Sequence, residues 1–450
     1  MHKALTTAAV VLLFAISPLV NAQNGDVDLK RLTEAARAIS DDRLRQAEEL
    51  LNAVLATSPR DADALNLLGV VRAKQNRAAE AERLFRRALA SLPSHLGAHT
   101  NLAELLLSNN KDAEALPVLL SAHKLAPERE EISLKLATTL ASLKRLDEAL
   151  SILQAARQNA PASFPLLYEL GVVTAALKQY DKADEHLSAA LAIKPDDVAT
   201  LRALARVARA SGNMEKALSH LMAARRVAPN SAAVLYDFGV TALRMDLVLD
   251  ALPVFERLHR EYPREPAYLY ALAAAHWTKG EVVETTRLMD QYVALQPRDA
   301  SGLYLLGAAL LRQDRVPEAT AALQRSLNLK ADPDTEYLVG VSFEKAGNRT
   351  AALNTYRRVV QSRPNHAAAH AALGAAYREA GSYAEARAEL ERAIQLDPDD
   401  LRANYQLGLV YAKLGEKEAA KRMFDRADDL RKRQRDQERV VLKLIDAPQP

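Results

Sequence analysis

Apolar, small and helix-ending positions return along this chain at one fixed interval. Prolines mark it most openly. Pro59, Pro93, Pro127, Pro161, Pro195, Pro229, Pro263 and Pro297 fall at every thirty-fourth position, and Pro364 and Pro398 resume that spacing after one step shortened by a single residue. Glycines run in phase with them, at Gly69, Gly171, Gly239, Gly307, Gly340, Gly374 and Gly408. Alanines recur a dozen positions before the repeat end, from Ala47, Ala81 and Ala115 to Ala386 and Ala420. A large apolar residue follows each by one helical turn, as at Phe85, Leu187, Leu221 and Phe255.

Different residue types sharing one period over most of the chain predict a row of helical hairpins. One hairpin cannot bury its own apolar stripes, so neighbours must stack to share a core. Glycine or alanine at the two phased positions lets the paired helices approach, and the bulky residue is expected to fill the space between units. Proline then stops the second helix, because its ring disfavours helix for the residue before it. Pro117 and Pro253 sit inside second helices, where local kinks are expected.

Composition agrees. Of 450 residues, 49% are hydrophobic and only 15 are Gly. The plentiful Ala and Leu lose little side-chain freedom in helices, so the fold class is all-α. The absence of cysteine excludes disulfides, thiolate metal sites and a cysteine nucleophile. A net charge of +3 is too near balance for a dedicated nucleic-acid binder, and no nucleic-acid partner is expected.

The two ends break the period. Residues 1–22 read as a secretory signal: Lys3 supplies a positive charge, Ala4 to Ile16 is apolar, Pro18 breaks the stretch, and Val20-Asn21-Ala22 places small residues before a cleavage point. A retained anchor is the alternative, although Ala4 to Val20 falls short of the roughly 20 apolar residues that span a bilayer. The mature protein is expected to be exported, periplasmic or extracellular, with no stable membrane span after cleavage. Residues 433–450, charged to Arg439 and then apolar at Val440-Val441-Leu442 and Leu444-Ile445, read as a capping helix and tail.

Leu373-Gly374, Tyr377, Ala386, Leu390 and Pro398 make one unit, and Leu407-Gly408, Tyr411, Ala420 and Phe424 the next. This pattern resembles the tetratricopeptide repeat family. Departures exist: Ala replaces Gly at 35, 103, 137, 205 and 273, and Thr285 replaces the phased Ala. The resemblance implies a right-handed superhelical α-solenoid of about twelve 34-residue repeats over residues 28–432. It also implies a concave groove lined by the fifth, ninth, twelfth and thirteenth positions of each first helix.

Six of the 14 tyrosines fall on the fifth-position line: Tyr168, Tyr236, Tyr270, Tyr304, Tyr337 and Tyr405. Trp277 lies two helical turns beyond Tyr270, on the same helix face. Aromatic rings at this line could grip a ligand or pack within the repeat. Arg202, Arg206 and Arg209 share one face, and no acidic residue lies between Asp197 and Glu215. Their guanidinium forks suit carboxylates, with Glu169 or Asp237 as alternative counter-charges. Arg244, Arg312 and Arg378 add charge at inward positions.

His95 with His99, and His366 with His370, have chelating i, i+4 spacing. Neither pair forms H-E-x-x-H, so packed repeat residues are the favoured reading and no metal or cofactor is expected. No phosphate-cradling loop or nucleophile elbow is present. The sequence thus predicts a non-enzymatic exported scaffold that binds an extended peptide or protein segment in its groove, an acidic one being best matched to the arginines. The alternative is an accessory of envelope polysaccharide synthesis or export that binds acidic glycan there.

Overall fold

The structure, a computed structural model, describes residues 25–160 and 163–434. The expected signal segment, Pro161 and the apolar residues at 440–445 lie outside them. Among the described residues there are 24 helices and no strand. None of these helices is long and apolar enough to cross a membrane.

The chain divides into two compact units, 1–220 and 221–450. In unit 1 the hairpins are α1–α2 (Gly25–Ser40, Leu44–Thr57), α3–α4 (Ala62–Lys74, Ala78–Ser91), α5–α6 (Leu96–Ser108, Asp112–Leu125), α7–α8 (Glu130–Ser142, Leu146–Asn159) and α9–α10 (Phe164–Ala176, Tyr180–Ile193). They are followed by α11 (Val198–Ala210), and α12 (Met214–Val227) carries the chain into unit 2. There the hairpins are α13–α14 (Ala232–Arg244, Val248–Glu261), α15–α16 (Pro266–Lys279, Val282–Leu295) and α17–α18 (Ala300–Arg312, Val316–Leu329). The last three are α19–α20 (Pro333–Lys345, Arg349–Ser362), α21–α22 (Ala367–Glu379, Tyr383–Leu396) and α23–α24 (Leu401–Lys413, Lys417–Gln434). Within each unit a first helix packs on its own second helix, which packs on the next first helix. This is an α-solenoid.

The bulky residue does more than fill space between hairpins. Phe85 and Phe255 lie against Gly69 and Gly239 of their own hairpins, where an added β-carbon would come within 2.5 and 2.7 Å of the ring. Tyr356 meets Gly340 and Phe424 meets Gly408 in the same way. Where the later residue is Leu or Met, as at Leu119, Leu153, Leu221 and Met289, the earlier one is alanine: Ala103, Ala137, Ala205 and Ala273. Leu187, Leu323 and Leu390 still meet glycine. Thr285, at the phased alanine site, satisfies its buried hydroxyl by donating to Glu281 O at 3.0 Å and Ala273 O at 3.4 Å.

The turn inside each hairpin places one residue in the left-handed region. These are Asp42, Asn76, Asn110, Lys144, Lys178, Gly212, Asp246, Gly280, Asp314, Gly347, Gly381 and Gly415. The next residue donates its N–H to a carbonyl five back, as Arg77 does to Arg72 at 2.9 Å, which satisfies helix-end acceptors. The helices containing Pro117 and Pro253 run their full 14 residues through the proline. The one shortened step of the repeat falls in the turn between Leu329 and Pro333.

Most first helices are capped by side chains that accept a backbone N–H three residues on. Asp61, Ser163, Asp197, Ser231, Asp332 and Asp400 do this conventionally. His95 and His366 do it with Nδ1, accepting from Ala98 N at 3.0 Å and Ala369 N at 3.1 Å.

Candidate functional site

The fifth-position tyrosines divide by burial. Tyr236 and Tyr270 are 1% and 3% exposed, and Trp277 is 6% exposed. Tyr236 packs on Tyr268 at 5.5 Å and on Phe255 at 6.3 Å between ring centroids, and Tyr270 on Tyr292 at 5.3 Å. These three rings have almost no surface to offer a ligand; they build the core. Tyr337 and Tyr405 also pair with an aromatic on the second helix of their own hairpins, Tyr356 at 5.9 Å and Phe424 at 5.7 Å, yet Tyr405 keeps 42% exposure. Burial pushes the Tyr337 phenol up. Tyr304 is half-buried beside a cavity of about 40 Å³ shared with Tyr270, Ser301, Ser326 and Lys330.

The arginines expected at inward positions are equally varied. Arg312 lies over the Trp277 indole at 5.0 Å, Arg378 Nε donates to Gln406 at 2.7 Å, and the buried Nε of Arg244 has no acceptor among the described residues. On α11, Arg202 and Arg209 each have a partner. Arg206 is exposed and joins no ion pair among the described residues.

The charge of Arg206 acts on the Tyr168 hydroxyl. Burial raises the Tyr168 phenol; Arg206 pulls it back down, Glu169 and Asp197 push it up, and Arg202 pulls it down. Tyr168 is half-buried, stacked on Phe164 at 6.3 Å. Glu169 is not the counter-charge. Burial alone raises its carboxyl above the usual range, and no hydrogen bond or ion pair reaches it among the described residues. Asp237 is 2% exposed and partnered. Tyr168, Arg202 and Arg206 thus share a polar neighbourhood on unit 1 with the carboxylates of Glu169 and Asp197.

Sequence reasoning missed the polar rungs that tie first helices together. Asn101 donates to Asn66 at 2.9 Å, and Lys135 to Glu104 at 2.7 Å. Arg402 reaches Glu344, two hairpins earlier, at 2.8 Å, and Glu344 also accepts from the Tyr356 hydroxyl at 2.6 Å. Only side chains spaced near one or two repeats could have hinted at such pairs. The histidine pairs do not converge on a common centre: His95 and His366 are caps, while His99 and His370 point Nε2 at Pro93 O and Pro364 O, at 2.8 and 3.1 Å.

The Tetratricopeptide repeat family profile matches residues 32–198 in overlapping segments, and 236–284 and 287–335. The chain belongs to the tetratricopeptide repeat family. Further repeat profiles cover 175–236, 344–393, 376–415 and 401–434. No curated protein sequence matches the chain.

Among solved structures it is similar to that of the APC/C hetero-tetramer Cut9-Hcn1, at 16% identity over 89% of this chain and 94% of that one, with a TM-score of 0.47. YrrB, described as a TPR protein with an unusual peptide-binding site, is 22% identical over 39% of this chain and 91% of its own, with a TM-score of 0.32. PilF of Pseudomonas aeruginosa is 19% identical over 48% and 96%, with a TM-score of 0.40. None of these three bears on the site. Tetratricopeptide repeat solenoids generally serve as interaction scaffolds.

Proposed function

We propose that this tetratricopeptide protein is an exported, non-enzymatic scaffold that binds an extended peptide segment on the first-helix face of unit 1. In this reading a carboxylate of the partner sits at Arg206, with Arg202 and the Tyr168 hydroxyl beside it. The observation that carries the reading is Arg206: a guanidinium exposed on a helix face without acidic residues, next to a half-buried tyrosine, and joined to no carboxylate among the described residues. A guanidinium so placed can form a bidentate bond to a carboxylate without first breaking an ion pair. Export is supported by the pattern of Lys3, the apolar run from Ala4 and the small residues at Val20 and Ala22.

The test is a peptide array in which each sequence carries either a free or an amidated C-terminus, alongside an array of acidic glycans. Preference for acidic or free-carboxylate peptides, lost in Arg206→Glu with unchanged circular dichroism, is the expected result. Equal binding by Arg206→Glu, or binding confined to glycans, overturns it.

A further inference from the structure

The second helix of most hairpins opens with an apolar residue. Leu44, Tyr180, Val248, Val282, Val316 and Tyr383 all hold this place and are half-buried. Leu44, Tyr180 and Tyr383 pack on the adjoining cores. At the start of α20 the same place holds Arg349, whose side chain is 81% exposed and turned to Glu379 at 3.5 Å. The facing helix is thinned as well: Ala376 of α21 stands where α23, one repeat later, has the fully buried Val410.

Loss of bulk on both sides leaves a cavity of about 260 Å³, in contrast to the close packing of an ordinary interior. Its walls include Leu353, Tyr356, Ala375 and Ala376, and Glu344, Arg349 and Glu379 supply its charges.

The chemistry of this cavity matches a construction that unit 2 uses elsewhere with the ring supplied in cis. Tyr411 lies under Arg387 at 5.2 Å and donates its hydroxyl to Glu391 at 2.8 Å. Tyr292 donates to Asp299 at 2.8 Å, and in the wall of the cavity itself Tyr356 donates to Glu344 at 2.6 Å. An arginine over a ring is attracted by the ring's negative face, and a carboxylate accepts from the phenol. The cavity has an arginine at its rim, carboxylate acceptors and apolar walls, and its centre holds no ring from the described residues. Glu344 already receives one donor on each oxygen, but an ionised carboxylate offers about four lone-pair sites, so capacity for a further O–H remains.

We propose that this cavity is a docking site for a tyrosine side chain carried by a partner polypeptide. The ring takes the place that Tyr383 fills in the following hairpin, with Arg349 across its face and its hydroxyl on Glu344 or Glu379. The proposal rests on the scaffold reading of the chain and not on the Arg206 surface.

The experiment uses methyl-labelled full-length protein titrated with N-acetyl-tyrosine methylamide, and in parallel with the phenylalanine and leucine analogues and with free 4-methylphenol. At millimolar concentrations the tyrosine probe is expected to shift the Leu353 methyl signals, and the phenylalanine and leucine probes to do so several-fold more weakly. Arg349→Tyr, which supplies the ring in cis, is expected to abolish the shift while raising the denaturation midpoint. Ala376→Val fills the cavity from the other wall and does the same. Arg349→Ala leaves the cavity open and retains weakened binding.

No shift with any probe overturns the proposal, as does an unchanged shift in both filling variants, or equal response to tyrosine and leucine probes. Tighter binding of free 4-methylphenol than of the blocked tyrosine makes this a small-phenol site and overturns the partner assignment. Because these probes are read at Leu353, failure here leaves the Arg206 peptide test standing on its own result.

Discussion

The ring of Phe255 rests on the backbone of Gly239, so closely that a β-carbon there would lie 2.7 Å from both Cε1 and Cζ. Real carbon contacts are not that short, so even alanine forces a shift against a ring that is fully buried. Gly239→Ala is expected to cost about 1–3 kcal/mol through overpacking, reduced by up to about 1 kcal/mol because alanine favours helix over glycine. Phe255→Leu alone leaves space and also destabilises. The double variant recreates the alanine–leucine pairing of Ala137 with Leu153 and should recover much of the loss. A double-mutant cycle from urea unfolding measures the coupling; additive effects would show that the two residues do not compensate.

The tyrosine row separates under truncation. Tyr236→Ala removes a ring that is 1% exposed and is expected to cost about 3–5 kcal/mol, as for other buried aromatics. Tyr405→Ala removes one that is 42% exposed and should cost about 1 kcal/mol or less beyond the lost Phe424 contact. Denaturant midpoints of the two variants decide this, and similar losses would contradict the division between core and surface rings.

His366 ties stability to pH. Its Nδ1 must be unprotonated to accept from Ala369 N, its Nε2 lies 3.2 Å from Asp334 Oδ1, and Tyr337 stands 5.2 Å from the ring. Burial lowers its pKa below the ordinary 6.5; Asp334 opposes this shift and Arg363 adds to it. A base whose folded pKa is depressed contributes stability that is whole above its unfolded value and is lost as the pH falls from that value through the folded one. Burial also lowers His123, His186, His220 and His259, so the chain as a whole should weaken below about pH 6.5. His366→Ser keeps the cap and should make the melting temperature less sensitive to acidification from neutral pH through the ordinary histidine range, while His366→Ala should cost about 1 kcal/mol at neutral pH. A pH slope unchanged in the serine variant would show that this imidazole is not a contributor.

Lys178 and Lys144 hold left-handed backbone angles, φ 60° and 65°, at the turn where other hairpins use Gly, Asn or Asp. A side chain with a β-carbon costs about 1–2 kcal/mol there, part of which glycine returns through its more flexible unfolded state. Lys178→Gly is expected to stabilise by about 0.5–1 kcal/mol, visible as a raised urea midpoint; a lowered midpoint would show that the lysine side chain has a compensating role.

The sequence by itself determined the hairpin, its length and its recurrence, because these depend on residues close in the chain. A glycine, an alanine and a bulky residue beyond the intervening turn set how two adjacent helices pack, and proline sets where the second one stops. The sequence pattern placed the bulky residue between units; its seat on the glycine of its own hairpin, at Gly69 with Phe85 and Gly408 with Phe424, came with the structure.

What the tertiary structure decided is which side chains on a shared helix face are still available. Tyr236, Tyr270 and Tyr405 occupy one repeat position, and nothing in their spacing distinguishes them; burial by neighbours takes the first two into the core and leaves the third in part at the surface. The same holds for charge. Arg206, Arg312 and Arg402 are all arginines of first helices, yet one meets no carboxylate among the described residues, one lies over Trp277 and one reaches across two hairpins to Glu344. Periodicity fixes where a side chain starts, whereas its partners come from separate repeats, and only their packing brings those groups within a few ångströms.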